Sequence, residues 1–176
     1  MKNNLKDVGY VIVKDWIQTI VPDFTLDLGD YTTQKAKTMG KGWYEILDIN
    51  TGHKPIGRVN PFSIFEDEIK KIVLDVYGIE TIISSRIQLS RDGAFIPSHG
   101  DSNSDDVLHF IIYLNSKTSK GGELILTDRN DDSETYIPSF GDLVILDLIQ
   151  GKPVIHSVKP TYWDRFVMSG YGKRGK

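Results

Sequence analysis

Four histidines and no cysteine occur in 176 residues, so any metal chemistry must run through imidazole and carboxylate rather than thiolate. The first place where it can is Pro97-Ser98-His99-Gly100-Asp101. In an extended chain, residues two apart face the same way, so His99 and Asp101 can aim an imidazole and a carboxylate at one point. Gly100 between them adds no bulk and permits a local bend. A third ligand has to come from elsewhere, and His156, within Pro153-Val-Ile-His-Ser-Val158, is the best candidate. Two imidazoles and one carboxylate grip one face of an Fe(II) ion and leave its remaining positions open to small molecules such as O2. A lone His-x-Asp is also what a turn looks like when the Asp bonds nearby backbone groups, so the triad needs support from the rest of the chain.

Arg165 lies nine residues after His156 and opens the apolar run Arg165-Phe-Val-Met-Ser-Gly-Tyr171. An arginine directed into an apolar pocket needs an anion, and its planar guanidinium holds a carboxylate at two points. Ser169, four residues on, shares its face and can add a hydrogen bond. The competing reading is a surface ion pair with Asp164 or another acid. In His109-Phe-Ile-Ile-Tyr113 the alternation puts His109, Ile111 and Tyr113 on one face. The Tyr113 hydroxyl either reaches the same carboxylate or bonds a backbone carbonyl like an ordinary buried tyrosine. His109 either lines the pocket or is a satisfied core histidine. Asp105 and Asp106, just past the His-x-Asp pair, read as part of a solvated rim.

These side chains require strands to position them. From Thr81 onward the chain alternates short apolar runs with turns: TIISSRIQLS, VLHFIIYLN, GELILTD, ETYIP, DLVILDL, PVIHSV and DRFVMSGY. That spacing predicts an all-β sandwich or barrel. Before it, GYVIV reads as a strand and Asp15 as the cap of a short helix ending at Ile20. PFSIFEDEIKKIVLDVYG reads as a helix, with Ser63 and Glu66 as a capping box. Its apolar positions are Phe65, Ile69, Ile72, Leu74, Val76 and Tyr77, and Gly78 stops it. Helices first and strands after argue against a doubly wound α/β fold. Residues 29–60 are glycine-rich, with Trp43 and Tyr44 among the anchors. They read as a hairpin or loop that is either a lid over a pocket or a surface feature. Lys173, Arg174 and Lys176 read as a frayed tail.

Apolar residues make up 39% and charged residues 26%, the balance of a globular protein with a core. A net charge of −3 supplies no field for nucleic acid or anionic lipid. No apolar run is long enough to span a bilayer, and no signal peptide is evident. The expectation is one domain over residues 1–176, with 1–80 as N-terminal support and flexible arm and 81–172 as the β core, in the cytoplasm. The oligomeric state is open.

Taken together, GAFIPSHGD, FIIYLN, GGELIL, PSFGDLVIL and HSVKPTYWDRFVMSGY resemble, in order and spacing, the Fe(II)/2-oxoglutarate dioxygenases, and within them the prolyl 4-hydroxylase branch. The resemblance implies a mainly β fold with N-terminal helices, a double-stranded β-helix (jelly roll) with the helices on one outer face. It implies Fe(II) on His99, Asp101 and His156, with Arg165 on the distal carboxylate of 2-oxoglutarate, Tyr113 and Ser169 assisting, O2 as cosubstrate and ascorbate as a helper. It implies hydroxylation of an aliphatic carbon, foremost a prolyl residue in a peptide or protein, or else a free amino acid or small metabolite. Relatives that halogenate lack the carboxylate that Asp101 supplies here. Three positions depart from the pattern: Ser90 stands where many relatives have Tyr, Arg165 where some prolyl hydroxylases have Lys, and Gly170-Tyr171 where the strand often ends in Trp. Nucleic-acid demethylases carry a second Arg six residues after the first, where this chain has Tyr171. The reading from another class is a catalytically silent β-barrel binding module.

Overall fold

The alternating apolar segments form antiparallel strands that curl around the predicted pocket. A computed structural model describes residues 2–26, 31–37, 42–49, 62–101, 105–149 and 151–175. In chain order these are α1 (Lys2–Asp7), β1 (Tyr10–Val13), α2 (Trp16–Ile20), β2 (Tyr31–Lys37), β3 (Trp43–Ile49) and α3 (Ser63–Tyr77). There follow β4 (Thr81–Ser90), β5 (Ala94–Gly100), β6 (Asp106–Tyr113), β7 (Leu124–Thr127) and β8 (Ser133–Tyr136), then β9 (Leu143–Asp147), β10 (Ile155–Thr161) and β11 (Arg165–Arg174). The strands run β1-β9-β6-β11-β4-β3-β5-β10-β7-β8, with β2 hydrogen-bonded to β3. The path is long because it folds over. The strands from β1 to β4 make one wall, β5, β10, β7 and β8 make the opposing wall, and β3 bridges them through the Trp43–Phe95 pair. This is the double-stranded β-helix expected from the motifs.

Two cores divide the strand faces. Ile111, Tyr113, Val144, Leu146 and Val167 point between the walls and meet Leu124, Leu126 and Val158 from the other side. The alternate residues Phe110, Ile112, Leu143, Ile145 and Met168 point outward, where Trp16, Ile17, Phe65, Ile69 and Val73 of the helices cover them. All eight residues of β6 are therefore buried. A strand packed on both faces reads as a near-continuous apolar run rather than an alternating one. The N-terminal helix is tied down as well: Arg129 donates to the carbonyls of Leu5 and Lys6 and pairs with buried Asp147 at 2.7 Å.

Several local expectations change. Ser63 does not cap α3. The N-cap is Phe62, without a side-chain cap bond, and Glu66 accepts instead from Ser85 Oγ of β4. Glu66 of that pattern thus ties helix to sheet. Val73 rather than Leu74 faces the core, and Leu74 is 51% exposed; at 100° per residue the two lie on different faces, and the strands select one. Gly78 does stop the helix, in the left-handed region at φ 69. Asp15 caps α2 with no side-chain bond; its own N–H donates to Asp142 Oδ1. Lys173 and Arg174 are not frayed, because β11 carries them alongside Ile82 and Thr81. Asp106 is not solvated rim but the buried first residue of β6. The arm contains the β2–β3 hairpin, while residues 29–30, 38–41 and 50–60 of it lie outside the described residues, His53 among them.

Candidate metal centre

β5 and β10 are antiparallel neighbours, and their register sets His156 directly opposite His99. The two rings stand 4.3 Å apart between centroids. Asp101 follows at the end of β5. One ligand atom from each of His99, Asp101 and His156 lies within 4.8 Å of the others, so the local pair and its distant partner do converge. His99 Nδ1 lies 2.8 Å from the Pro97 carbonyl. A carbonyl only accepts, so Nδ1 carries a proton, and in a neutral ring the lone pair then lies on Nε2, which is 3.6 Å from Asp101 Oδ1. His156 Nε2 lies 3.7 Å from Asp101 Oδ2.

Electrostatics suit a cation. Burial, then the neighbouring rings of His109 and His99, push His156 down to about 3 against the opposing pull of Asp101, so it presents a neutral imidazole. Burial by itself would raise the carboxyl of Asp101, but His109, His156 and His99 together hold it below the usual carboxylate range. Neutral imidazoles and an ionised carboxylate are the forms that bind a metal.

A cavity of about 400 Å³ opens beside the triad and also takes in Arg165, Val167 and Ser169. Arg165 is 1% exposed. Its Nη2 donates to the Tyr113 hydroxyl at 3.3 Å, and its Nε and Nη1 have no partner. The competing surface pairing with Asp164 is not made. Tyr113 is wholly buried behind the guanidinium. Ser169 Oγ meets His109 Nε2 at 2.9 Å.

A family model for the 2OG-Fe(II) oxygenase superfamily matches residues 85–173. The chain belongs to this superfamily. No curated protein matches this oxygenase in sequence. In fold it is similar to a prolyl-4-hydroxylase of Pseudomonas putida, with TM-score 0.65 and 16% identity over 99% of this chain and 97% of that one. It is also similar to a Trichoplax adhaerens prolyl hydroxylase in complex with a hypoxia inducible factor oxygen degradation domain peptide fragment, with TM-score 0.63 and 16% identity over 98% and 86%. A third similar fold is the non-heme alpha ketoglutarate dependent epimerase SnoN of nogalamycin biosynthesis, with TM-score 0.66 and 12% identity over 98% and 80%.

The superfamily implies Fe(II) and 2-oxoglutarate, and the residues present fit both. The converging donor set is that of a non-haem iron site. Two unpartnered nitrogen donors on a buried guanidinium are what a keto-diacid's carboxylate would satisfy, since buried charged donors otherwise go unpaired at a large cost. Two further side chains reach Asp101. His109 Nδ1 is 2.8 Å from Oδ2, and the Tyr171 hydroxyl is 3.3 Å from Oδ1. Sequence reasoning left His109 between pocket and core and named Tyr171 only as a departure from the pattern. The shared face of His109 with Ile111 was the signal available. No helix among the described residues is long and apolar enough to cross a membrane.

Proposed function

We propose that this oxygenase hydroxylates an aliphatic carbon, and foremost a prolyl residue in a peptide or protein. The observation that carries the reading is a His-Asp-His cluster and a buried, half-unpartnered arginine on the walls of one cavity. Bound there, Fe(II) with 2-oxoglutarate and O2 supplies the oxidising power to insert oxygen into a C–H bond, with succinate and CO2 as co-products. The chain's own residues bind and orient. His99, Asp101 and His156 hold the ion, with the His99 ring fixed by the Pro97 carbonyl. Arg165 receives the distal carboxylate of the keto acid, and Tyr113 props the guanidinium from behind. Ile111, Val158 and Val167 line the cavity with hydrocarbon and keep water from the reacting atoms. Asp101 occupies the position that halogenating relatives leave for chloride, which favours hydroxylation.

Arg86 supports a second substrate reading, a free amino acid or other small acid. It lines the same cavity, its guanidinium rests 5.3 Å from the Tyr44 ring centroid, and no carboxylate among the described residues pairs with it. An exposed cation on the cavity wall suits a substrate bearing its own carboxylate.

One screen tests both readings. Protein loaded with Fe(II), 2-oxoglutarate and ascorbate is mixed with proline-containing peptides and, separately, with free amino acids. Succinate is measured, and mass spectrometry seeks the gain of one oxygen atom. The expected result is succinate in step with an oxygenated peptide. Oxygen on free amino acids alone would transfer the assignment to the second reading. Iron-loaded protein that makes no succinate with any partner, or without one, would leave a silent binding module.

A further inference from the structure

His109 is the one histidine of the site that the iron-binding assignment does not use. It projects from β6 into the wall of the cavity, is 6% exposed, and is held by three neighbours. Its neighbour across the register is Tyr171 of β11, whose ring stacks on it at 4.6 Å and 21°. Its Nε2 meets the Ser169 hydroxyl at 2.9 Å. If that hydroxyl donates to Nε2, the proton of a neutral ring sits on Nδ1, which faces Asp101 Oδ2 at 2.8 Å. The two atoms are close without being aligned as a hydrogen bond, and neither has another hydrogen-bond partner. Two buried polar atoms left unpaired are costly, and a small turn of the imidazole resolves both.

We propose that His109 is a positioning residue for the iron-binding carboxylate: it occupies Asp101 Oδ2, so that Oδ1 alone is offered to the ion. The inference rests on the assignment of His99, Asp101 and His156 as the metal ligands. A carboxylate binds a cation through one oxygen or through both. Binding through both would close a coordination position that the keto acid and O2 require. The imidazole on Oδ2 prevents this, while the Tyr171 hydroxyl steadies Oδ1. Ser169 thereby acts through His109, by fixing which ring nitrogen carries the proton.

The test compares two amides. Asn at 109 places its N–H near the Nδ1 position and can still donate to Oδ2. Gln at 109 reaches instead toward the Nε2 position and Ser169, and leaves Oδ2 bare. Mn(II) affinity is measured by the electron paramagnetic resonance signal of the free ion, and the visible spectrum of the Co(II) form reports the coordination. Groups that hold a metal ligand typically carry about 10–100-fold in affinity. His109→Gln is therefore expected to bind Mn(II) at least about tenfold more weakly than wild type, with a changed Co(II) spectrum, and His109→Asn to stay near wild type in both. Equal affinity in Gln and wild type, or equal loss in Asn and Gln, would overturn the proposal. Circular dichroism confirms that each variant is folded. Should Gln not fold, Ser169→Ala takes its place, with a weaker Mn(II) site expected and an unchanged one counting against the proposal. Wild type that takes up no Mn(II) would instead sink the ligand assignment beneath it.

Discussion

Arg165 shows how much one side chain can decide. Its guanidinium is sealed from solvent, tethered at one nitrogen by Tyr113, and bare at two others. A charge-assisted hydrogen bond is worth about 1.5–3 kcal/mol. Arg165→Met is therefore expected to weaken 2-oxoglutarate binding by roughly 10–100-fold while leaving Mn(II) uptake intact. Titration of the Mn(II) form with the keto acid checks it. Arg165→Lys should fall between, because the ammonium keeps the charge and loses the planar fork. This residue was legible because a buried arginine has few uses. His109 was not. Its face could be read from alternation, but whether that face met the core or the cavity depends on β10 and β11 arriving from beyond residue 150, and no local pattern encodes that.

His156 governs the acid response of the metal-free protein. An unfolded histidine titrates near its ordinary 6.5, whereas the folded site, through burial and then its neighbouring rings, holds His156 at about 3. Between those values the unfolded chain binds a proton that the folded chain refuses. Stability consequently rises with pH through this window and is lost as pH falls from about 6.5 toward 3. Asp101, depressed below its ordinary 3.8, acts in the same direction at lower pH. Thermal midpoints of metal-free protein at steps from pH 7 to 4 should decline, and His156→Gln should flatten the slope.

At the scale of elements, the turns carry more than their sequences announce. Gly121 and Gly122 stand just before β7, and Gly121 sits at φ +82, where a Cβ would come 1.7 Å from the Pro160 carbonyl oxygen. The loop before β7 is thus pressed against the end of β10, and the Gly121 carbonyl accepts from Trp163 Nε1, two residues before Arg165. Gly121→Ala is expected to cost at least about 1–3 kcal/mol from the backbone conformation alone, seen as a lowered urea midpoint. The strands after Thr81 were legible from their apolar runs, except β5, whose Phe95-Ile-Pro-Ser-His lacks a clean alternation and takes its shape from β10 and β3. β10 and β11 also run further than their apolar cores suggested, because pairing with β5 and β4 outweighs the weak strand preference of Lys, Pro and Gly.

At the scale of the whole molecule, the two-wall arrangement puts the helices and the cavity on opposite faces of the same strands. The helical layer can stabilise the sheet without entering the site, so metal and cosubstrate bind to a frame that is already built. Any ligand that prefers the folded chain raises its apparent stability, by about 2.7 kcal/mol at a hundredfold excess over Kd. Mn(II) should accordingly raise the melting temperature, 2-oxoglutarate should raise it further only when the ion is present, and a chelator should reverse both. Scanning calorimetry with each addition checks the order.

Met168 has a consequence of its own. Sulfur is among the easiest atoms in a protein to oxidise, and a centre that handles O2 endangers whatever stands near it. This chain contains no cysteine, and although Met168 lies between two residues that line the cavity, its thioether faces the helices on the far side of the strand. The sheet acts as a firebreak for this thioether, and a misfired turnover would meet imidazole, phenol and hydrocarbon before it reached Met168.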